Sequence, residues 1–159
     1  MLYPVATMET RSITQEDYLQ IVSVIDEWWG GPTTALAHPM FFHELGDNAL
    51  IVEDAGRLVG FLLGFVTGRA PRVGYIHLVG IDPEYRRRGV GRALYEEFAR
   101  RARAEGASKL KAITTPGNHG SVEFHRANGY TVELVQDYAG PGRARYVFSR
   151  DMEPSTPDA

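Results

Sequence analysis

The hydrophobic rhythm of this chain changes within one short stretch, and that change constrains the fold more than any other feature. Residues 72–82, "RVGYIHLVGID", read as a strand ended by Asp82 and Pro83. From Gly89 the spacing is helical. Val90, Ala93, Leu94, Phe98 and Ala102 fall on one face, Arg92, Glu96 and Arg100 on the other, and Gly106 closes the helix. Between strand and helix stands "YRRRGVG", where Arg86, Arg87 and Arg88 abut Gly89 and Gly91.

Three readings of that junction compete. A nucleic-acid patch fits poorly with a net charge of -3, so the basic cluster is local and its target small. A dinucleotide turn fails in detail, because "GVGRAL" carries Leu94 where the third glycine belongs and Asp82 to Arg88 separate it from the strand. A phosphate-binding G-x-x-x-x-G-K-[ST] loop is absent. A merely solvated helix start would set cations against the positive end of the helix dipole. An anion resolves that conflict. Gly89 and Gly91 would let it approach backbone N–H groups that are unpaired at a helix start, so the junction reads as a phosphate cradle.

A chain of 159 residues is read as one domain, residues 1–150, followed by a tail, 151–159, expected to be disordered. At this size roughly 70% of the unfolded surface can be buried, so no disulfide or metal staple is needed. The absence of cysteine excludes a thiol nucleophile and a cysteine zinc site. The start, "MLYPVATMETRS", has neither a basic leader nor an apolar core. The longest apolar run, Leu58 to Val66, is far below the ~20 residues of a membrane span. A cytoplasmic protein is expected, with no nucleic-acid or membrane partner.

Elsewhere, residues 8–13 suggest a first strand, and Thr14 with Asp17 a helix N-cap. Leu19, Val22 and Ile25, beside Tyr18 and Ile21, give that helix an apolar face as far as Trp28. A short helix is expected near Phe41 to Leu45 and a hairpin turning at Asp54 to Gly56. "SKLKAITT" alternates as a strand, "SVEFHRAN" makes a helix capped by Gly129, and two strands follow near 130–135 and 144–149. The class is α/β or α+β with a mixed sheet.

The run "HLVGIDPEYRRRGVGRAL" resembles the acyl-CoA binding motif of the GNAT superfamily of N-acetyltransferases, R/Q-x-x-G-x-G/A after a strand, with Arg86, Gly89 and Gly91 filling it. A second segment of that family, an asparagine before a short helix ending in x-x-G-F, is matched by Asn118, Ser121, Phe124 and "RANGY". The order of elements agrees from about residue 8 to residue 150. The resemblance implies a largely antiparallel mixed sheet, helices on both faces, and a splayed central pair of parallel strands. It also implies acetyl-CoA as co-substrate, no metal, and an amine acceptor, in a monomer or homodimer.

In that family the pantetheine arm lies in the splayed gap. The resemblance therefore assigns Val79, Gly80 and Ile81 to strand-like pairing with pantetheine. The N–H groups from Arg87 through Val90 to Arg92 take the pyrophosphate, and Asn118, Ser121 and Phe124 line the arm. A loop or helix-capping asparagine is the competing reading of Asn118. The Val79 N–H becomes the donor that polarises the thioester carbonyl. The resemblance implies direct transfer, and with neither a cysteine nor a G-x-S-x-G elbow an acyl-enzyme is not expected.

Strand alternation puts Tyr75, His77, Val79 and Ile81 on one face. His77 is thus the candidate base, imidazole being the side chain that titrates near neutrality; a structural histidine is the competing reading. Arylalkylamine N-acetyltransferases of the family carry a histidine at the matching position. Glu44 and Glu123 are weaker candidates. Many members have a tyrosine acid after the position of Phe124; here His125 stands there, expected at most to hydrogen-bond the departing sulfur. The acceptor is expected near Trp28, Trp29, Tyr75, Asp137 and Tyr138, with Asp26 or Glu27 attracting a cation. Core packing is the alternative for at least one tryptophan. The sequence thus points to an acetyl-CoA-dependent N-acetyltransferase. A non-catalytic acyl-CoA sensor and a transferase for another acyl donor are the alternatives.

Overall fold

β1 (Met8–Ser12) passes into α1 (Gln15–Trp29) through a capping box: Thr14 Oγ1 accepts from the Asp17 N–H at 3.2 Å and Asp17 Oδ2 accepts from the Thr14 N–H at 2.7 Å. Arg11 donates to Asp17 and to Glu53, which ties the start of the helix to the sheet. The computed structural model describes residues 8–45 and 47–153. The first seven residues and most of the expected tail therefore lie outside the described residues.

Seven strands form one sheet in the order β1-β2-β3-β4-β5-β7-β6. They are β1, β2 (Leu50–Asp54), β3 (Arg57–Val66), β4 (Val73–Ile81), β5 (Lys109–Thr114), β6 (Thr131–Val135) and β7 (Arg145–Asp151). All neighbours pair antiparallel except β4 and β5, which run parallel. The expected mixed, largely antiparallel sheet with a central parallel pair is what the chain forms.

The two faces bury separate cores. On one, α1 and the short α2 (Met40–His43) set Ile21, Ile25, Trp28 and Phe41 against Phe61, Leu63 and Leu78. On the other, α3 (Val90–Ala104) and α4 (His119–Ala127) set Leu94, Phe98, Ala102 and Val122 against Leu62, Leu110 and Phe148. α3 lies close to the sheet because β3 presents glycines beneath it. A Cβ on Gly60 would stand 2.6 Å from a Val90 methyl, and one on Gly64 2.7 Å from the Phe98 ring. That approach fixes where the N-terminus of α3 sits.

The C-terminal boundary needs correction. Residue 150 falls inside β7, and Met152 is buried with its N–H donating to the Ser108 carbonyl at 2.9 Å. The folded unit therefore extends past 150, because the last strand carries an apolar anchor beyond it. Among the described residues no helix is long and apolar enough to cross a membrane.

Candidate active site

β4 and β5 pair only from Val73–Lys109 to Ile76–Ala112, and beyond that point they part. A bulge sits where they separate. Leu63 of β3 faces Leu78, yet Gly64 faces Ile76, so His77 is an extra residue on β4. One extra residue reverses the side-chain parity of the strand. Tyr75 and His77 face the α1/α2 side, Tyr75 against Phe65 and His77 against Phe41. Val79 and Ile81 face the α3 side. The expectation that all four share a face is wrong, because simple alternation does not anticipate a bulge.

The same strand leaves backbone groups open. The Asp82 N–H donates to the Val59 carbonyl at 2.9 Å, so antiparallel alternation gives Gly80 and Leu78 the other bonds to β3. The N–H and C=O groups of Val79 and Ile81 then point into the gap that β5 has vacated. Gly80 owes its identity to packing: a Cβ there would stand 2.3 Å from the Phe61 ring.

Next to this gap lies the start of α3. Gly89 is left-handed at φ 81° and caps the helix; the first rung of its ladder is Ala93 N–H to Gly89 C=O. The N–H groups of Val90, Gly91 and Arg92 precede that ladder. A Cβ on Gly91 would stand 3.0 Å from Ile81 Cδ1 and 3.8 Å from Phe124, so this glycine keeps the groove between them open.

The four arginines diverge. Arg86 and Arg87 line the cavity, and Arg86 also donates to the Trp28 carbonyl at 2.9 Å. Arg88 lies over the Tyr85 ring, and Arg92 pairs with Glu96 on the outer face of α3. The arginine side chains are therefore not gathered as one cluster, because the turn before the helix fans them apart.

Asn118 serves as a cap. Its Oδ1 accepts from the Ser121 N–H at 3.2 Å and its Nδ2 donates to Thr114 Oγ1 at 3.1 Å, which bridges α4 to the end of β5. It also lines the cavity with Ser121 and Phe124, so the capping and lining readings describe one residue.

His125 departs from expectation. It is buried and stacked on Phe148 at 3.8 Å, with Nδ1 2.7 Å from the Ser121 carbonyl and Nε2 2.9 Å from the Tyr95 hydroxyl. A carbonyl only accepts, so Nδ1 carries the proton, and Nε2 accepts from Tyr95. No imidazole N–H remains for a departing sulfur. Burial lowers the imidazole's pKa, partly opposed by the bond to Ser121, and it raises that of the Tyr95 phenol.

Between that lowered value and the ~6.5 of an unfolded histidine, only the unfolded state takes up the proton, so stability rises with pH there and falls on acidification. His125→Phe should cost about 1–3 kcal/mol at pH 8, since it orphans the Tyr95 hydroxyl. That penalty should shrink below about pH 6.5, where the wild type alone weakens. Urea unfolding at pH 8 and pH 5.5 measures both; a penalty independent of pH would overturn the assignment.

His77 Nε2 lies 2.8 Å from the Leu36 carbonyl, which leaves the proton on Nε2 and the lone pair on Nδ1. Glu44 and Glu123 do not line the cavity. Nor do the acidic residues of the acceptor loops. Asp26 Oδ1 accepts from the N–H groups of Thr33 and Thr34, and Asp137 accepts from the Gly142 N–H. Each carboxylate uses one oxygen to organise its own loop. Trp28 is buried against Phe61, whereas Trp29 is exposed at the cavity wall.

The gap between β4 and β5 opens into a cavity of about 720 Å³ reaching from Trp29 to Asn118. Tyr95, Thr114 and the Leu36 carbonyl belong to this region and were not anticipated. For Tyr95 the signal was present: it stands four residues after Gly91, on the same face of α3.

The model of the acetyltransferase (GNAT) family matches residues 9–130. The chain belongs to this family. Among curated proteins it is similar to the uncharacterized protein YdhI of Bacillus subtilis (strain 168), 24% identical over 67% of this chain and 64% of that one. It is also similar to the L-2,4-diaminobutyric acid acetyltransferase of Nocardia farcinica (strain IFM 10152), 26% identical over 59% of this chain and 49% of that one. The aligned part thus spans less than two thirds of either relative. Among solved structures, Ard1 from Thermoplasma volcanium shares the fold, with a TM-score of 0.77 at 21% identity over 92% of this chain and 99% of that one. The GNAT family uses acetyl-CoA, and the residues of this chain can be tested against such a group. They fit: the outward-facing β4 backbone, the open α3 N-terminus and the gap kept by Gly91 converge on one cavity.

Proposed function

We propose that this protein is an N-acetyltransferase that transfers acetyl from acetyl-CoA directly to a primary amine. One observation carries the reading: the free β4 edge at Val79 and Ile81 opens beside the unpaired N–H groups of α3. Val90, Gly91 and Arg92 N–H groups, with the Arg86 and Arg87 side chains, would hold the pyrophosphate. Val79 and Ile81 would pair with the pantetheine amides, and Phe124, Ser121 and Asn118 would line the arm. The bound co-substrate supplies a thioester carbonyl, toward which the Val79 N–H acts as donor. His77 Nδ1 takes the amine proton.

Thiolate is a fair leaving group, so its departure needs no protonated histidine. His125 acts through packing instead. The protein works in the cytoplasm, as a monomer or homodimer, without nucleic-acid or membrane partners, and the acyl group is acetyl. A non-catalytic acyl-CoA sensor is the second reading, favoured by the inward turn of His125, which leaves the family's acid position without a free donor.

Thiol release from acetyl-CoA across a panel of amines, with calorimetry of CoA binding, tests the proposal. Turnover with at least one amine is expected. Tight CoA binding without any turnover would favour the sensor, and absence of CoA binding would overturn the site.

A further inference from the structure

Asp26, in the last turn of α1, gathers the chain that follows it. Its carbonyl accepts from the Gly30 N–H at 2.9 Å and the Gly31 N–H at 3.1 Å. Its Oδ1 accepts from the Thr33 N–H at 2.7 Å and the Thr34 N–H at 2.8 Å. Pro32, between them, has no N–H to give. One residue therefore holds every backbone donor from residue 30 to residue 34. The same bonds, that from Thr33 foremost, lower the Asp26 pKa, so the acceptor stays a carboxylate at neutral pH.

That loop delivers a single 3₁₀ turn, Thr34–Leu36. The Leu36 N–H donates to the Thr33 carbonyl at 2.9 Å and the Ala37 N–H to the Thr34 carbonyl at 3.0 Å. The Leu36 carbonyl ends the turn, stays outside those bonds, and meets His77 Nε2 at 2.8 Å. One residue on, the Ala37 carbonyl accepts from the Tyr18 hydroxyl of α1 at 2.8 Å. Ala37 is buried in the same core as Phe41, whose ring stacks on His77. Helix α1 thus grips the segment before and after the turn, and the contact to His77 lies between the two grips. The bond made by one imidazole nitrogen decides which nitrogen carries the proton, so the placement of this carbonyl sets the His77 tautomer. A displacement of about 1 Å would break a hydrogen bond of that length.

We infer that Asp26 is a positioning residue for His77: by folding the loop after α1 it aims the Leu36 carbonyl at Nε2 and keeps the Nδ1 lone pair free. Tyr18 steadies the same segment from the other side. Asp26 does not line the cavity, so it acts through the loop. The inference rests on the transferase reading above, in which His77 Nδ1 takes the amine proton.

Nitrogen NMR of the imidazole rings at about pH 8.5, where histidine is neutral, tests it, the His77 signals being those lost in His77→Gln. In the wild type Nε2 should carry the proton and Nδ1 should not. Asp26→Ala is expected to move His77 toward a mixture of tautomers. It should also lower kcat about tenfold, with the KM for acetyl-CoA unchanged, because a base displaced from its working geometry loses rate. Thiol release measures this with whichever of ethanolamine, spermidine, 2-phenylethylamine and triglycine is turned over fastest. Asp26→Asn, whose amide oxygen still accepts from Thr33 and Thr34, should restore the tautomer and most of the rate. Tyr18→Phe should shift the tautomer in the same direction as Asp26→Ala. Asp26 is exposed, so its variants should fold, and a thermal melt checks this. A wild-type tautomer in both Asp26→Ala and Tyr18→Phe would overturn the inference, even if the melting temperature fell. So would an Asn variant as impaired as the Ala variant. A tautomer that shifts while turnover holds removes His77 as the base and keeps the tether. If no amine is turned over, the transferase reading falls, and the tautomer still decides the tether.

Discussion

Gly91→Glu is expected to weaken CoA binding by at least a hundredfold while the protein stays folded. The side chain would start at a Cβ 3.0 Å from Ile81 Cδ1 and 3.8 Å from Phe124, which is the floor of the groove. Ile81 Cδ1 is the far end of a flexible side chain, so it can give by a few tenths of an ångström. A carboxylate in the first turn of α3 also suits the helix dipole, which offsets the crowding. The same carboxylate would compete for the N–H groups that an incoming pyrophosphate needs, and would repel it. A hundredfold loss is ~2.7 kcal/mol, within reach of one misplaced charge near a phosphate. Isothermal titration with CoA, beside a thermal melt, decides the matter. Unchanged affinity in a folded variant would place the phosphates elsewhere.

The cradle was legible because its physics is local. Two glycines, a change of period and a row of arginines mark a helix start with open N–H groups, whatever the rest of the chain does. The sheet was legible for a similar reason, since turn residues and alternation mark each strand. What the sequence hid depends on register. The bulge at His77 is one extra residue in a well-alternating strand, and only its pairing with β3 reveals it. That residue decides which side chains face α1 and α2 and which face α3. Asp26 and Asp137 have a role that the sequence hid for a different reason. A carboxylate in a loop looks free until the loop closes, and here backbone N–H groups claim both. His125 was hidden by a partner thirty residues away on α3, since its Nε2 is taken by Tyr95.

His77→Gln should lower kcat/KM about a hundredfold, or ~2.7 kcal/mol, the usual scale for a positioned base. The bulge turns His77 toward the α1/α2 side, and two contacts fix its ring. Nε2 meets the Leu36 carbonyl at 2.8 Å, and Phe41 stacks on the ring at 4.6 Å and 13°. Because the carbonyl can only accept, the proton resides on Nε2 and Nδ1 keeps its lone pair. Glutamine can still donate an amide N–H to Leu36 but supplies no comparable base. Alanine loses both functions, so the pair of variants separates proton transfer from anchoring. If His77 is the base, Gln and Ala fall together, CoA affinity holds, and the acidic limb of the pH–rate profile disappears in both. If Gln keeps most of the activity, Ala loses it and both keep the limb, His77 positions the Leu36 segment and water takes the proton. The limb is the deciding readout, because a purely structural defect would lower the whole profile without changing its shape.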